Sequence, residues 1–171
     1  MVKGMQADSA KQFEIQINEH RKILYKICNV YCANADDRED LAQEMLAQLW
    51  RSFSSFDGRC LFSTWMYKVA LNTAISFTRR EFTRRRYVIP VEERILASVP
   101  IREKDSAELQ MLYELIDELD PLNTAMVLLY LDGNSYQEIS DVLGITPTNV
   151  ATKLNRLKEK LKEKFERRGT R

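Results

Sequence analysis

The sequence predicts an all-α protein in which two small helical domains are joined by a flexible linker. Apolar residues recur with a helical period along almost the whole chain, and no alternating stretch is long enough for a useful strand. The pattern lapses in the middle of the chain, where Pro90 and Pro100 lie. These observations predict one domain over residues 9–86, a linker over residues 87–105 and a second domain over residues 106–167.

The composition is that of a folded protein without a membrane segment. Of the 171 residues, 44% are hydrophobic, which is enough to fill the core of one domain or of two small ones. No apolar run approaches the roughly 20 residues of a membrane-spanning helix, and the N-terminus lacks the apolar stretch of a signal peptide. We therefore expect a cytoplasmic protein that does not insert into a membrane.

The net charge of +1 conceals a segregation of charge along the chain. Residues 61–90 hold six basic side chains and one acidic side chain, and residues 147–171 hold nine basic and three acidic ones. The stretch between them holds twelve acidic and three basic residues. Two basic segments favour two contacts with a polyanion, although each alone is also typical of an ordinary solvated helix face.

The first domain is predicted to contain three helices. The first covers Ser9–Cys32, the second is capped by Asp36 or Asp37, and the third runs from a cap at Ser63 past Arg80. Apolar residues predicted to share one face of the first helix are Phe13, Ile17, Leu24, Ile27 and Tyr31. Those predicted to point inward from the second helix are Leu41, Met45, Leu46, Leu49, Trp50 and Phe53.

The second helix also carries a polar stripe on its other face. Its members are Asp40, Gln43, Glu44 and Arg51. Because the apolar side of an amphipathic helix packs on the core, we expect this polar stripe to be exposed.

A loop and a basic track follow, which together suggest binding of a single strand. The loop is "FDGRCLF", residues 56–62, and it contains Gly58. The basic track occupies one face of the third helix and consists of Lys68, Asn72, Ser76 and Arg79. Nearby aromatic residues are Phe56, Phe62, Trp65 and Tyr67. Single-stranded DNA binding requires stacking groups beside a basic track. We expect Phe62 and Trp65 in the core, and Tyr67 and Asn72 at the surface.

The second domain opens with two further helices. Four apolar residues share a face of the first of these helices, namely Leu109, Leu112, Ile116 and Leu119. Asp120 and Pro121 are predicted to begin the next helix, and Gly133 to end it.

The stretch "SYQEISDVLGITPTNVATKLNR" is typical of a helix-turn-helix. Ser135 and Glu138 form a capping box, Gly144 allows the turn, and Thr146 precedes Pro147 as a second helix start. Apolar residues stand where the two helices must pack: Ile139, Leu143, Ile145, Val150, Leu154 and Leu157. Side chains left to face a DNA major groove are Thr148, Asn149, Thr152, Lys153 and Arg156. An ordinary helical hairpin is the alternative.

Metal or cofactor chemistry has little support in the sequence. Cys28 and Cys32 lie one turn apart with His20 upstream, but ligands with suitable spacing are too few, and three cysteines form no disulfide framework. A Mg²⁺-dependent nuclease is an alternative, with acidic residues at Asp36, Asp37, Asp40 and Glu44. Carboxylates are, however, favoured at a helix N-terminus anyway. We expect no metal, no cofactor and no catalytic residue.

Three segments together resemble a known family. In order and spacing, "DREDLAQEMLAQLWR", "FDGRCLFSTWMYKVALNTA" and "SYQEISDVLGITPTNVATKLNRLKEKL" are similar to the conserved segments of bacterial sigma factors. The short architecture matches the extracytoplasmic-function (ECF) group, which keeps regions two and four. The resemblance covers roughly residues 10–86 and 107–165.

The resemblance implies a sigma factor that binds core RNA polymerase, directs it to promoters and helps to melt DNA. Region two would bind the clamp helices of the beta-prime subunit and capture the melted minus-ten element. Region four would read the minus-thirty-five element as a duplex, with the beta subunit as a further partner. Many members of the group are held inactive by an anti-sigma factor, which is a candidate partner here.

Carried over residue by residue, the resemblance assigns roles to three sets of side chains. The polymerase-binding set is Asp40, Gln43, Glu44 and Arg51. The minus-ten set is Phe56, Asp57, Gly58, Arg59, Phe62, Tyr67, Lys68, Asn72 and Arg79. The minus-thirty-five set is Thr148, Asn149, Thr152, Lys153 and Arg156. Lys153 stands where an arginine is common and Ala151 where a basic residue often lies, so the bases that are read stay open.

A dimeric helix-turn-helix regulator with an N-terminal sensing domain is the main alternative function. Its C-terminal half would look much the same in sequence. It would not account for the loop beside a basic track, nor for the exposed acid-rich helix.

Overall fold

A computed structural model of the chain describes residues 2–88, 114, 116 and 118–169. Side chains are described for residues 8–81, 114, 116, 118–163, 166 and 167. Every regular element in these ranges is a helix, which confirms the all-α class. The chain divides into unit 1, Met1–Ile101, and unit 2, Arg102–Arg171.

The described part of unit 1 consists of three helices that pack on one another. They are α1 (Val2–Tyr31), α2 (Ala35–Phe53) and α3 (Phe62–Val88). Their apolar stripes meet in a core whose largest fully buried side chains are Ile27, Leu41, Met45, Leu49, Met66 and Leu71. Burial of these side chains is the main force that holds the three helices together.

The N-termini of α1, α2 and α3 differ from the sequence prediction. α1 begins at Val2, upstream of Ser9. Asn34 rather than an aspartate caps α2, because its Oδ1 accepts a hydrogen bond from the Asp37 N–H at 2.7 Å. Asp36 and Asp37 lie instead in the first turn of α2, where the helix dipole favours carboxylates.

Ser63 is not the cap of α3, since the helix already includes Phe62. The N–H of Trp65 donates to the Leu61 carbonyl at 3.1 Å, so the first helical hydrogen bond starts one residue before Phe62. α3 extends through Val88 and therefore includes Tyr87, the first residue of the expected linker. Residues 89–105 of that linker lie outside the described residues.

Two of the six residues expected to point inward from α2 are at the surface. Leu46 is 38% exposed and Trp50 is 47% exposed, whereas Leu41, Met45 and Leu49 are fully buried. Trp50 packs edge-on against Phe13 of α1, with ring centroids 5.1 Å apart, and leaves the rest of its indole uncovered. The apolar side of α2 is thus wider than the strip that α1 and α3 cover.

The described helices of unit 2 are α4 (Pro121–Leu131), α5 (Tyr136–Leu143) and α6 (Pro147–Gly169). Asp120 caps α4 by accepting hydrogen bonds from the Leu122 and Asn123 N–H groups, both at 3.1 Å, and Pro121 opens the helix as predicted. Gly133 follows the end of α4 with φ +82°. Of the apolar face predicted upstream, Ile116 is buried and Leu119 half-buried, while Leu109 and Leu112 lie outside the described residues.

The helix-turn-helix geometry is confirmed at each predicted junction. The Ser135 N–H donates to the Glu138 carboxylate at 2.7 Å, and the Glu138 N–H donates to Ser135 Oγ at 3.2 Å. Gly144 takes the left-handed conformation, with φ +69°, that ends α5. Thr146 Oγ1 accepts from the Asn149 N–H at 3.2 Å and so caps α6.

The interior of the helix-turn-helix differs from the prediction in one detail. Ile139, Val150 and Leu154 are fully buried as expected, but Val142 is buried where Leu143 is half-buried. Ser140 is also buried, and its hydroxyl donates to the Ile145 carbonyl at 2.6 Å. This bond ties α5 to the turn that sets the angle at which α6 leaves.

The capping box should give unit 2 a specific sensitivity to acid. Hydrogen bonds from the backbone and hydroxyl of Ser135 lower the pKa of the Glu138 carboxyl below its ordinary value of 4.5. The capping box therefore stabilises unit 2 above pH 4.5, and this contribution is lost as the pH falls through the lowered pKa. Glu138→Gln keeps a hydrogen-bond acceptor but cannot titrate.

We expect the melting temperature of unit 2 to fall more steeply below pH 4.5 in the wild-type chain than in Glu138→Gln. Both tryptophans, Trp50 and Trp65, lie in unit 1, so their fluorescence follows unit 1 alone. A circular-dichroism transition without a change in tryptophan fluorescence reports unit 2. Equal acid dependence in the two proteins would contradict the role of Glu138.

Candidate nucleic-acid interface

α3 is buried on most of its circumference and exposes one narrow polar face. Lys68, Asn72, Ser76 and Arg79, the predicted basic track, are all exposed. Ala70 and Ala74 are fully buried on the opposite side, where their small side chains allow α1 and α2 to approach closely. Within residues 62–81, the packing that buries α3 thus leaves the basic track and Arg80 as its solvent-facing polar side chains.

The aromatic residues near the basic track divide differently from the prediction. Phe62 is buried and Trp65 half-buried, and Asn72 is exposed, as expected. Tyr67 is only 7% exposed, so the expectation that it lies at the surface is wrong. It directly precedes Lys68 on the helix, and this one-residue step turns its side chain towards the core.

An aromatic cluster anchors the loop at residues 56–62. The ring of Phe56 lies 5.5 Å from that of Phe62 and 5.3 Å from that of Trp65. Phe53, at the end of α2, contacts both Phe62 and Trp65, with centroids 6.3 and 6.4 Å away. Edge-to-face packing of this kind adds to the stabilisation from burial. The first and last residues of the loop are therefore fixed, while its middle faces solvent.

The exposed middle of the loop carries a paired acid and base. Asp57 accepts a hydrogen bond from the Arg59 N–H at 3.1 Å, and its other oxygen lies 2.8 Å from Arg59 Nε. Gly58 has φ +74°, a conformation that permits this tight turn and that other residues rarely adopt. Both side chains are exposed, and ion pairs this exposed contribute little stability. A bound phosphate can therefore replace Asp57 beside Arg59, and a donor group of a base can replace Arg59 beside Asp57, at small cost.

The polar stripe of α2 is exposed except at one position. Asp40, Gln43 and Arg51 are exposed, whereas Glu44 is half-buried beside α3. Sequence reasoning missed that Leu46 and Trp50 border this stripe. Leu46 follows Gln43 by three residues, a spacing that places both on one side of the helix, and this spacing was the available signal. We call the polar stripe together with Leu46 and Trp50 the α2 surface.

In unit 2, α6 presents the predicted DNA-facing residues at its N-terminal half. Thr148, Asn149, Thr152 and Arg156 are exposed, and Lys153 is half-buried. The Thr152 hydroxyl is occupied by the Thr148 carbonyl at 2.9 Å. Arg156 is therefore the most accessible basic side chain of the set.

Lys158 is basic and near this set but has a different role. Its Nζ lies 4.0 Å from the centroid of the Tyr130 ring, a cation–π contact between α6 and α4. A hydrogen bond with the Tyr130 side chain raises the pKa of Lys158. The ammonium group of Lys158 thus helps to hold α6 on α4 within unit 2, a role that the sequence alone did not indicate.

The described residues contain no group of three or more His, Cys, Asp or Glu side chains that could hold a metal ion. Cys28 and Cys32 are buried, and burial raises the pKa of the Cys28 thiol to about 11. Cys60, within the loop at residues 56–62, is exposed. In the same part of the chain no helix has the length and hydropathy needed to cross a bilayer.

Comparison with known families decides the identity of the chain. The model of sigma-70 region 2 matches residues 16–84, and that of sigma-70 region 4 matches residues 109–161, together more than two thirds of the chain. The chain belongs to the sigma-70 family. Within that family it is an ECF-type sigma factor, as the sequence resemblance implied.

Two curated relatives are ECF sigma factors of similar length. The ECF RNA polymerase sigma-E factor of Haemophilus influenzae is 25% identical over 183 residues, which cover 97% of this chain and 94% of that protein. The ECF RNA polymerase sigma factor SigW of Bacillus subtilis is 25% identical over 178 residues, with 96% and 94% covered.

Solved structures share the fold of this sigma factor. The sigma factor RpoE in complex with the anti-sigma factor NepR from Bartonella quintana matches with a TM-score of 0.69 at 18% identity, covering 91% of this chain and 98% of that one. CnrH in complex with the cytosolic domain of CnrY matches with a TM-score of 0.66 at 20% identity, covering 94% of each chain. These similarities show the fold.

The chain is therefore a sigma factor that binds core RNA polymerase and directs it to promoter DNA for transcription initiation. Sigma factors generally act in initiation without catalysing a reaction themselves. The alternative of a dimeric helix-turn-helix regulator is not favoured, because region two accounts for the N-terminal half that such a regulator leaves unexplained.

Proposed function

We propose that this sigma factor divides its work among three surfaces. The α2 surface binds the clamp helices of core polymerase, the loop at residues 56–62 with the basic track captures the melted minus-ten strand, and the exposed face of α6 reads the minus-thirty-five duplex. The observation that carries this proposal is the anchored loop, which ends where α3 begins and is followed on that helix by the basic track from Lys68 onward. We further propose a cytoplasmic protein without catalytic residues.

A base that leaves the duplex loses a few kcal/mol of stacking and pairing free energy. Capture of the minus-ten strand therefore requires that contacts with the protein offset this loss. The loop offers an apolar wall at Phe56 and an exchangeable acceptor and donor at Asp57 and Arg59. Lys68 and Asn72 lie on the exposed face of the adjoining helix, where they can hold the phosphates and sugars of the same strand. Tyr67 has no part in this proposal, because it is buried.

The α2 surface has the mixed character of a protein interface. Leu46 and Trp50 provide exposed apolar area, and Asp40, Gln43 and Arg51 provide a polar margin. Interfaces commonly combine aromatic anchors with a polar rim, and tryptophan is frequent among the residues that dominate binding. This combination supports polymerase rather than DNA as the partner, since the margin holds one acid and one base and has no net attraction for phosphate.

The two DNA readers need not bind tightly alone. Once polymerase holds region two on the minus-ten element, region four meets its duplex at an effective concentration around millimolar, because both regions belong to one chain. Because the structural neighbour RpoE was solved in complex with the anti-sigma factor NepR, we also propose a partner of this kind for the present chain.

The α2 surface can be tested without disturbing its contact with α3. We expect Asp40→Ala with Gln43→Ala to weaken binding to core polymerase by about tenfold, which corresponds to about 1.4 kcal/mol, or about 0.7 kcal/mol from each side chain. Glu44 is left intact because it also contacts α3. The measurement is titration of labelled sigma factor with core polymerase, with helicity checked by circular dichroism.

Lys22→Ala is the matched control, since Lys22 is exposed on α1 and lies outside the α2 surface. Trp50→Ala should weaken binding as well, and Phe13 should retain its packing on Phe53. Unchanged affinity in both α2 variants would remove this surface from the polymerase interface.

Arg156 is expected to contact the minus-thirty-five duplex. If it contacts a guanine edge, Arg156→Ala should cost about 1–3 kcal/mol and relax specificity at one position. If it contacts phosphate, binding should weaken equally on all sequences and the salt slope should fall by about one. Lys162→Ala is the control, because Lys162 lies on the same helix within 3.9 Å of Glu166. A variant equal to wild type on both measures places Arg156 outside the interface.

The natural thiol of Cys60 reports on the loop without a substitution. In the free chain, a thiol reagent at neutral pH should modify Cys60 and spare the buried Cys28 and Cys32. In polymerase holoenzyme, a promoter with a pre-melted minus-ten segment should slow modification of Cys60, because the captured strand covers the loop. Peptide mass spectrometry measures the rates, and a minus-thirty-five duplex alone is the control.

The matching functional test uses Asp57→Ala with Arg59→Ala. This variant should lose opening of paired promoters and base preference in the minus-ten element, while region four still binds its duplex. Modification of Cys60 at the same rate with and without the pre-melted promoter, together with normal opening by the variant, would show that the loop does not capture a base.

A further inference from the structure

The two proposed surfaces of region two meet at a single ion pair. Glu44 belongs to the polar stripe of α2, and Arg80 directly follows Arg79 of the basic track on α3. Arg80 Nη2 lies 2.5 Å from Glu44 Oε2, across a sequence separation of 36 residues. The Glu44 side chain is 29% exposed and that of Arg80 is 60% exposed. A side chain of the α2 surface thus holds a basic side chain that lies next to the basic track.

Arg80 is placed to join the basic track if Glu44 releases it. It follows Ser76 by four residues, so the two lie on neighbouring positions of one helix face. Its guanidinium carbon lies 5.9 Å from the centroid of the Phe77 ring, which supports the group at the surface of α3. The ion pair uses one terminal nitrogen, while a guanidinium carries five N–H donors.

A phosphate is a strong competitor for such a group. Arginine binds phosphate through two parallel charge-assisted hydrogen bonds, and the half-buried Glu44 carboxylate opposes this binding because it competes for the same donors. A partner that engages Glu44 removes the competing carboxylate. Glu44 belongs to the α2 surface, which we propose binds polymerase. Polymerase is therefore the partner whose binding would release Arg80.

We infer that Arg80 is a further contact for single-strand phosphate, which Glu44 holds paired until polymerase engages Glu44. This inference rests on the proposed function of the α2 surface and the basic track. It makes DNA binding by region two conditional on polymerase, and by linkage it makes polymerase binding tighter on a captured strand.

The first experiment measures binding of the free chain to a fluorescent single strand of oligo(dT) at several salt concentrations. Glu44→Gln should bind about twofold to fivefold more tightly than wild type, the ratio that corresponds to the free energy of an exposed ion pair. Its log–log salt slope should be steeper by about 0.7, as expected for one additional phosphate contact on a single strand. Glu44→Gln with Arg80→Gln should lose both gains.

Glu39→Gln is the matched control, because it removes an equal charge from an exposed position on the same helix. An equal gain in Glu39→Gln, or a gain that persists without Arg80, would overturn the inference and indicate a general effect of net charge.

The second experiment uses holoenzyme on a promoter with a pre-melted minus-ten segment. Arg80→Gln should weaken this binding by about twofold to fivefold and reduce the salt slope by about 0.7, while it leaves oligo(dT) binding by the free chain nearly unchanged. Equal effects of Arg80→Gln with and without polymerase would show that Glu44 does not keep Arg80 from binding the strand in the free chain.

Failure of the inference and failure of the proposed function give different results. If Lys68→Ala with Asn72→Ala weakens holoenzyme binding to the pre-melted promoter but Arg80→Gln does not, the basic track stands and the inference about Arg80 falls. If neither variant changes that binding, the proposed strand-binding role of α3 is itself wrong, and the inference falls with it.

Discussion

The burial of α3 between α1 and α2 is the constraint on which the rest of region two depends. Small or apolar residues on most of its circumference, such as Ala70, Leu71 and Ala74, pack closely and leave one face to solvent. The basic track occupies that face, and the aromatic cluster fixes the loop at the start of the same helix. Core packing and the proposed strand binding therefore use opposite sides of one helix.

Weak ion pairs at the surface hold charged side chains in position, yet a binding partner can displace them at small cost. The pair of Asp57 with Arg59 is exposed, and a phosphate can replace its carboxylate, whereas the pair of Glu44 with Arg80 is one that a protein bound at Glu44 can open. Lys158 illustrates the opposite arrangement, since its contact with Tyr130 serves packing within unit 2. The difference follows from the group that is paired with the cation. The oxygens of a carboxylate can be exchanged for the similar oxygens of a phosphate, whereas an aromatic ring has no such counterpart in a phosphate.

Unit 2 is organised by short-range hydrogen bonds at its helix ends. The capping box at Ser135, the left-handed Gly144 and the cap at Thr146 fix where α5 stops and α6 starts. The buried Ser140 hydroxyl then holds the turn through the Ile145 carbonyl. These bonds position the exposed face of α6 before any DNA is present, which reduces the ordering cost of binding a duplex.

The sequence by itself determined the all-α class, the helix-turn-helix junctions and the exposure of the basic track, because caps, turns and helical period depend on residues a few positions apart. Only the tertiary structure decided that Tyr67 is buried, that Leu46 and Trp50 are exposed and that Glu44 meets Arg80. A helical period orders side chains around an axis, but which part of the circumference is covered depends on where neighbouring helices lie. Contacts across 36 residues follow from that arrangement and leave no local signal.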